Sequence, residues 1–185
     1  QSTKVINITV EEKPTGEISL GAGFGTSGGS IGGGIKENNF LGKGIKLDTN
    51  VSVSANSLTG QFIYKKPNFN YTENDLLVSL NSTVTDNLTD FGYKTNETGF
   101  SLGTSFEQYE NIYITPTFRT SFEKLEASTK ATANTKKGAG NYFDVYFNYT
   151  IDYDQRNKRF KPDEGFINIF NQDLPIHSDN YELIN

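Results

Sequence analysis

The sequence predicts an all-β fold, an antiparallel β-barrel that crosses a membrane with its strands. Three observations carry this. Apolar and polar residues alternate with a period of two along most of the chain, as a strand with two different faces requires. The alternating segments run about 9–12 residues, the length a tilted strand needs to span a bilayer, against about 5–6 for soluble strands. Hydrophobic residues make up only 34% of the chain; this is low for a packed core but sufficient where apolar residues are needed on one face alone.

A disordered chain also has low hydropathy. It would carry fewer aromatic residues and a higher net charge than the 14 Phe, 10 Tyr and charge of −5 found here. With 185 residues one domain is the default. The absence of Cys removes disulfides and thiolate metal sites. A pI near 4.9 argues against nucleic acid as a partner, because phosphate contacts need clustered Lys and Arg. No apolar run approaches the roughly 20 residues of a membrane helix. The chain has no Met and no signal peptide, and it opens and closes inside strand-like stretches. It therefore reads as a fragment of a longer protein.

The elements follow in order. Val5–Val10 is rich in β-branched residues and reads as a strand. The charges, Pro14 and Gly16 of the next segment break it and mark a linker. The first long segment sets Ile18, Leu20, Ala22 and Phe24 against Glu17, Ser19, Gly21, Gly23 and Gly25. The second has Ile31, Gly33 and Ile35 on one face. The third is the cleanest: Ile45, Leu47, Thr49, Val51, Val53 and Ala55 oppose Lys46, Asp48, Asn50, Ser52 and Ser54. The fourth runs from Leu58 to Phe69 with Phe62 and Tyr64 on one face. Leu76, Val78, Leu80 and Val84 define the fifth, and Phe100, Leu102, Thr104 and Phe106 the sixth. Ile112, Ile114, Phe118 and Phe122 alternate with Tyr113, Thr115, Thr117, Arg119 and Ser121 in the seventh. In the eighth, Phe143, Val145, Phe147, Tyr149, Ile151 and Tyr153 alternate with Asp144, Tyr146, Asn148, Thr150 and Asp152. Phe166–Leu174 is the ninth, and Tyr181–Ile184 begins another.

Alternation assigns faces. Val51, Val53, Leu102, Phe147 and Tyr149 are expected to face lipid, and Asp48, Asn50, Arg119 and Asp144 a wet lumen. A soluble antiparallel sheet or sandwich is the alternative that this pattern leaves open. Aromatics near segment ends (Phe40, Phe69, Tyr71, Tyr109, Tyr153, Phe160) fit an interfacial girdle. Short turns are expected at 39–44, 66–70 and 107–111, and longer links at 85–96 and 124–141, the second of them a mobile surface loop. Short turns on the periplasmic side and long loops outside is the barrel arrangement. The link 154–165 is long, charged and expected on the inner side.

No residue set points to catalysis. The Gly-rich stretch Gly21–Gly29 lacks the helix and the Gly-Lys-Ser/Thr that a phosphate loop needs. His177 is the only histidine, expected in a solvated loop, so neither a triad nor a His-rich metal site has its parts. The pairs Asp152/Asp154 and Asp163/Glu164 lie at a strand end and in a charged turn, where acids are ordinary. No cofactor or metal is expected.

Three stretches resemble one family. VINITVEEKPTGEISLGAGFGTSGG (Val5–Gly29) is similar to the junction where a last periplasmic POTRA domain meets the first strand of a BamA-type barrel. KENNFLGKG (Lys36–Gly44) resembles that family's Asn-aromatic-Leu-Gly-x-Gly turn after the second strand, and YDQRNKRFKPDEG (Tyr153–Gly165) its polar run and Pro-x-x-Gly between the eighth and ninth. Pro67-Asn68-Phe69 resembles its Pro-aromatic turn after the fourth. The family comprises outer-membrane assembly factors, also called bacterial surface antigens; TamA-like and two-partner secretion barrels share the pattern. The resemblance implies that residues 1–15 end a periplasmic POTRA domain. Residues 16–185 would then form the first part of a bacterial outer-membrane barrel, about nine of some sixteen strands. It implies a non-enzymatic factor that inserts other β-barrel proteins, with unfolded outer-membrane proteins, outer-membrane lipid and accessory lipoproteins as partners. It also implies that Glu17–Gly25 is a lateral seam. Gly21, Gly23 and Gly25 independently predict weak pairing there, since glycine loses side-chain packing and backbone entropy in a strand. A passive porin or adhesin is the rival of another class.

Overall fold

A computed structural model describes residues 8–25, 28–158 and 161–179. They form one antiparallel sheet of nine strands in which each strand pairs with its neighbour in sequence. The strands are β1 (Gly16–Gly25), β2 (Gly28–Phe40), β3 (Ile45–Ser54), β4 (Ser57–Lys66), β5 (Asp75–Asn87), β6 (Tyr93–Tyr109), β7 (Ile112–Ala127), β8 (Gly140–Asp154) and β9 (Ile167–Ser178). Among the described residues the sheet is not closed, so β1 and β9 each have one unpaired edge. The all-β antiparallel class read from the sequence holds. Every strand from the second to the eighth is hydrogen-bonded on both sides, which satisfies its backbone groups without water.

Turn chemistry fixes the register. After β2, Gly42 and Gly44 take φ of 69° and 64°, and the Asn39 side chain accepts from the Gly44 N–H at 2.7 Å. After β6, Asn111 takes φ 64°, and its N–H donates to Glu107 Oε1 at 2.7 Å. Gly42, Gly44 and Asn111 are residue types that tolerate left-handed backbone, whereas Leu41 in the first turn takes φ 58° without that freedom. Between β4 and β5 a 3-10 turn, Phe69–Tyr71, is flanked by the Lys65–Asp75 ion pair at 2.7 Å. The fourth strand thus stops at Lys66, not Phe69: Pro67 cannot donate to a ladder, and Asn68 is left-handed at φ 49°.

The links on the opposite side differ from expectation. The 85–96 segment is mostly strand: β5 runs to Asn87 and β6 starts at Tyr93. Likewise β7 continues to Ala127 and β8 starts at Gly140. The strands β6 to β8 are 17, 16 and 15 residues long, more than the roughly 9–11 that a bilayer needs. Their distal parts carry Lys94, Lys124 and Glu126. Charge there marks strands that outrun the apolar band, where the sequence reading took it for loop.

The remaining 128–139 connection is built, not loose. A helical turn, α1 (Ala133–Lys137), is capped by the Thr132 side chain, which accepts from the Thr135 N–H. Ala131 is buried. Ser128 N–H donates to Gly92 O at 2.7 Å, and Lys130 Nζ to Thr89 O at 3.1 Å. The connection therefore docks on the β5–β6 turn. On the other side, the 155–166 link is tied back by Gln155 N–H to Phe166 O and Asn157 N–H to Glu164 O. Asn157, then Lys158 at 3.1 Å, hold the Asp163 carboxyl below its ordinary range. Both act by stabilising its charged form.

Of the expected N-terminal strand, Val5–Asn7 lies outside the described residues, and Ile8–Val10 is exposed and unpaired. Tyr181–Ile184 and Phe160 also lie outside them. His177 belongs to the end of β9, not to a loop.

Gly92 tests the docked connection. It has φ +77°, and a Cβ there would run into the backbone of Ala131. Gly92→Val should cost about 1–3 kcal/mol locally and release the 128–139 segment. Trypsin should then cut at Lys130, Lys136 or Lys137 faster than in wild type, while the sheet keeps its melting temperature. Unchanged cleavage would show that the docking contributes nothing.

Candidate functional site

Directly opposed residues of an antiparallel ladder share a face, so the register sorts the side chains. One row runs Leu47–Tyr64–Val78–Leu102–Phe118–Phe147–Leu174 across β3 to β9. It is apolar apart from the tyrosine hydroxyl. Val51, Val53 and Tyr149 lie on the same face. A row on the opposite face runs Ser19–Gly34–Asn50–Gln61–Asn81–Gly99–Ser121–Asp144–Ser178, without one apolar side chain in nine strands. Asp48 and Arg119 share that polar face. The two residue groups that alternation separated therefore fall on two different faces.

Two pairs of polar residues on the apolar face bond each other. Ser82 and Thr98, opposed in the register, bring their hydroxyls to 3.3 Å. Tyr149 donates its hydroxyl to Gln172 Oε1 at 2.5 Å. A polar group in an apolar medium costs free energy unless bonded, and these are. Large side chains on this face stay exposed within the chain: Val51 is 47% exposed and Phe118 56%. Phe118 and Phe147 pack with ring centroids 5.2 Å apart. Toward the β5–β6 turn the same face becomes hydrophilic, in the row Asn96–Lys124–Asn141.

The polar face is cross-linked between strands. Arg119 Nη2 meets Asp173 at 3.1 Å. The Asn148 amide donates to Asn171 Oδ1 and Asp173 Oδ1, each at 3.0 Å. Sequence reading singled out Arg119 but missed Asp173, whose role depends on a β8–β9 register with a bulge at Val145/Tyr146.

The open edge at β1 is distinct. In the β1–β2 register only Glu17–Lys36, Ile18–Ile35 and Ala22–Ile31 place side chains on both strands. Every other pair contains glycine, and Gly21–Gly32 and Gly25–Gly28 contain nothing else. Cross-strand side-chain pairs are the unit of sheet stabilisation, so this is the pairing with least of it. The glycines of the two strands have different surroundings. A Cβ at Gly34 would collide with the Asn50 side chain, whereas one at Gly21 or Gly25 would meet nothing within 4 Å. Within this chain, room does not require glycine at Gly21 or Gly25. The share of β2 in the scarcity of side-chain pairs was missed in the sequence, although the run Gly32-Gly33-Gly34 signalled it.

His177 and Asp179 lie 3.1 Å apart at an exposed strand end, and Asp154 holds Arg156 in a two-pronged ion pair. Among the described residues no group of three or more His, Cys, Asp or Glu could hold a metal ion.

Residues 39–183 match the Omp85 superfamily domain. The chain is similar to the crystal structure of BamA from Haemophilus ducreyi lacking POTRA domains 1–3, with a TM-score of 0.68 at 24% sequence identity. That match covers 92% of this chain and 36% of the other, so the chain spans about a third of that structure's length. No curated protein matches the chain. The resemblance read from the sequence is thus borne out in superfamily and in fold, the latter as part of a BamA barrel.

Proposed function

This chain belongs to the Omp85 superfamily, and from that premise we propose that it is the N-terminal part of an outer-membrane barrel that folds and inserts other β-barrel proteins. Residues 1–15 end a periplasmic POTRA domain. The 128–139 connection lies outside the cell, and the 155–166 link faces the periplasm. Unfolded outer-membrane proteins and lipid are the partners, with accessory lipoproteins for the whole protein. The chemistry is non-enzymatic and rests on backbone pairing.

One observation carries the reading: the strand at the open edge, β1, is coupled to β2 by few side-chain pairs. In hydrocarbon an unpaired edge exposes N–H and C=O groups that must find partners. A nascent strand supplies them by β-augmentation. The glycines on both strands lower the cost of parting or re-registering β1 while its neighbours stay paired.

The facing that this function needs puts the Leu47–Leu174 row against lipid and the Ser19–Ser178 row against an aqueous lumen. A full-length protein with Val51→Arg should lose about 2–4 kcal/mol of stability in the bilayer, the cost of an arginine on the lipid face near mid-membrane. Asn50→Arg should be tolerated. Heat-modifiability on gels and folded yield report both, and equal tolerance would contradict the facing.

The gate is tested by a disulfide between Ala22→Cys and a cysteine in the last strand of the full-length barrel. Locking the seam should stop insertion of outer-membrane proteins in reconstituted vesicles while the barrel stays folded, and reduction should restore it. A translocating relative that does not use the seam would keep working when locked. Undiminished insertion with the disulfide formed would overturn the proposal.

A further inference from the structure

A strand that adds to the free edge of β1 has to find one register among several, and β1 offers little to choose by. Four of its ten residues are glycine, and Gly-rich strands specify register weakly. A slip of one residue is costly, because it turns the apolar side chains of the incoming strand to the polar face. A slip of two keeps every side chain on its own face. The apolar face of β1 is apolar at each position, Ile18, Leu20, Ala22 and Phe24, so it does not tell such registers apart. On the polar face Gly21, Gly23 and Gly25 present no side chain and Ser19 a small one. Glu17 is the single charged residue of the strand.

Glu17 is exposed on the polar face, and no ion pair among the described residues includes it. Away from the free edge its row continues Glu17–Lys36–Asp48 through β2 and β3, with the sign of charge alternating from strand to strand. Opposite charges directly across a ladder attract, and like charges repel. Asp48 accepts from the Asn50 amide at 2.7 Å, and Lys36 has an acid opposite it on either side. The next place in this row lies beyond Glu17, on the strand that joins β1. A cation there continues the alternation.

We propose that Glu17 sets the register of the incoming strand by pairing with a basic side chain, Lys or Arg, on that strand's polar face. The inference rests on β1 being the templating edge; it adds which strands the edge takes and where they stop sliding. The strand that fits runs antiparallel, as every pairing in this sheet does. It alternates apolar and polar residues and carries Lys or Arg at the polar position opposite Glu17. An acid at that position is repelled. An uncharged residue there leaves registers two residues apart nearly equal.

The experiment traps synthetic peptides on the full-length protein in lipid nanodiscs, with Ser19→Cys or Gly21→Cys as the trap. The peptides have about ten residues, enough for one membrane strand, and alternate apolar residues with Ser or Thr. Each has one Lys on its polar face and one Cys two residues before it. Antiparallel pairing with that Lys opposite Glu17 brings the peptide Cys opposite position 19, so the disulfide yield at each trap reads the register. At Ser19→Cys the Lys peptide should be captured about threefold or more above the same peptide with Glu in place of Lys, the ratio expected of one cross-strand charge pair. It should also be captured there in preference to Gly21→Cys. Adding Glu17→Lys should reverse the order of the two peptides. Should Glu17→Lys fail to fold, Glu17→Gln should bring their yields together. Equal capture of both peptides at Ser19→Cys with Glu17 intact would overturn the role of Glu17 and leave β1 as the templating edge. Capture of neither peptide at either trap would overturn that edge and the inference with it.

Discussion

The structure depends on one constraint: a peptide group in hydrocarbon must find its hydrogen-bond partner within the protein. A sheet made of successive hairpins meets it for each interior strand, because both ladders are filled by chain neighbours. The same constraint makes the two outer strands exceptional. β9 can be continued by a further hairpin, but β1 has its hairpin on one side only. Whatever pairs with its other edge must come from far along the chain or from another chain. The local chemistry of β1 matches that position, since its pairing to β2 relies on backbone hydrogen bonds with few side-chain pairs.

Side chains then give the sheet two faces of different polarity. The apolar face, with its row from Leu47 to Leu174, and the polar face, with its row from Ser19 to Ser178, alternate residue by residue along each strand. A slip of one residue would exchange them, so the sequence specifies register strongly. Exceptions are handled locally. Ser82 bonds Thr98, and Gln172 accepts from Tyr149, so these polar groups on the apolar face carry partners with them. On the polar face the surface ion pair Arg119–Asp173, with both side chains well exposed, contributes little to stability but ties β7 to β9 across β8.

Period-two alternation is a local signal, and it made the strands and both faces legible. The faces of Val51, Leu102 and Phe147, and of Asp48, Asn50 and Asp144, followed from parity alone. Gly42, Gly44 and Asn111 marked turns because few other residues take positive φ without strain. Strand ends were less legible. The stretches 85–96 and 124–141 are rich in charge and hydroxyls, and that composition describes both a loop and a strand beyond the apolar band. Only pairing distinguishes them, as in Lys94–Glu126 and Asn96–Lys124. The docking of Ala131 under the β5–β6 turn and the Asp173 partner of Arg119 depend on residues far apart in sequence, so no local pattern announces them.

The central claim is that β1 is the weakly held edge of an otherwise firmly paired sheet. Hydrogen–deuterium exchange of the full-length protein in lipid nanodiscs measures this directly, since exchange reports the local free energy of opening. The account predicts that amides of Glu17–Gly25 exchange much faster than those of Leu76–Asn87 in β5, which is paired on both sides. Protection of β1 equal to that of β5 would contradict it.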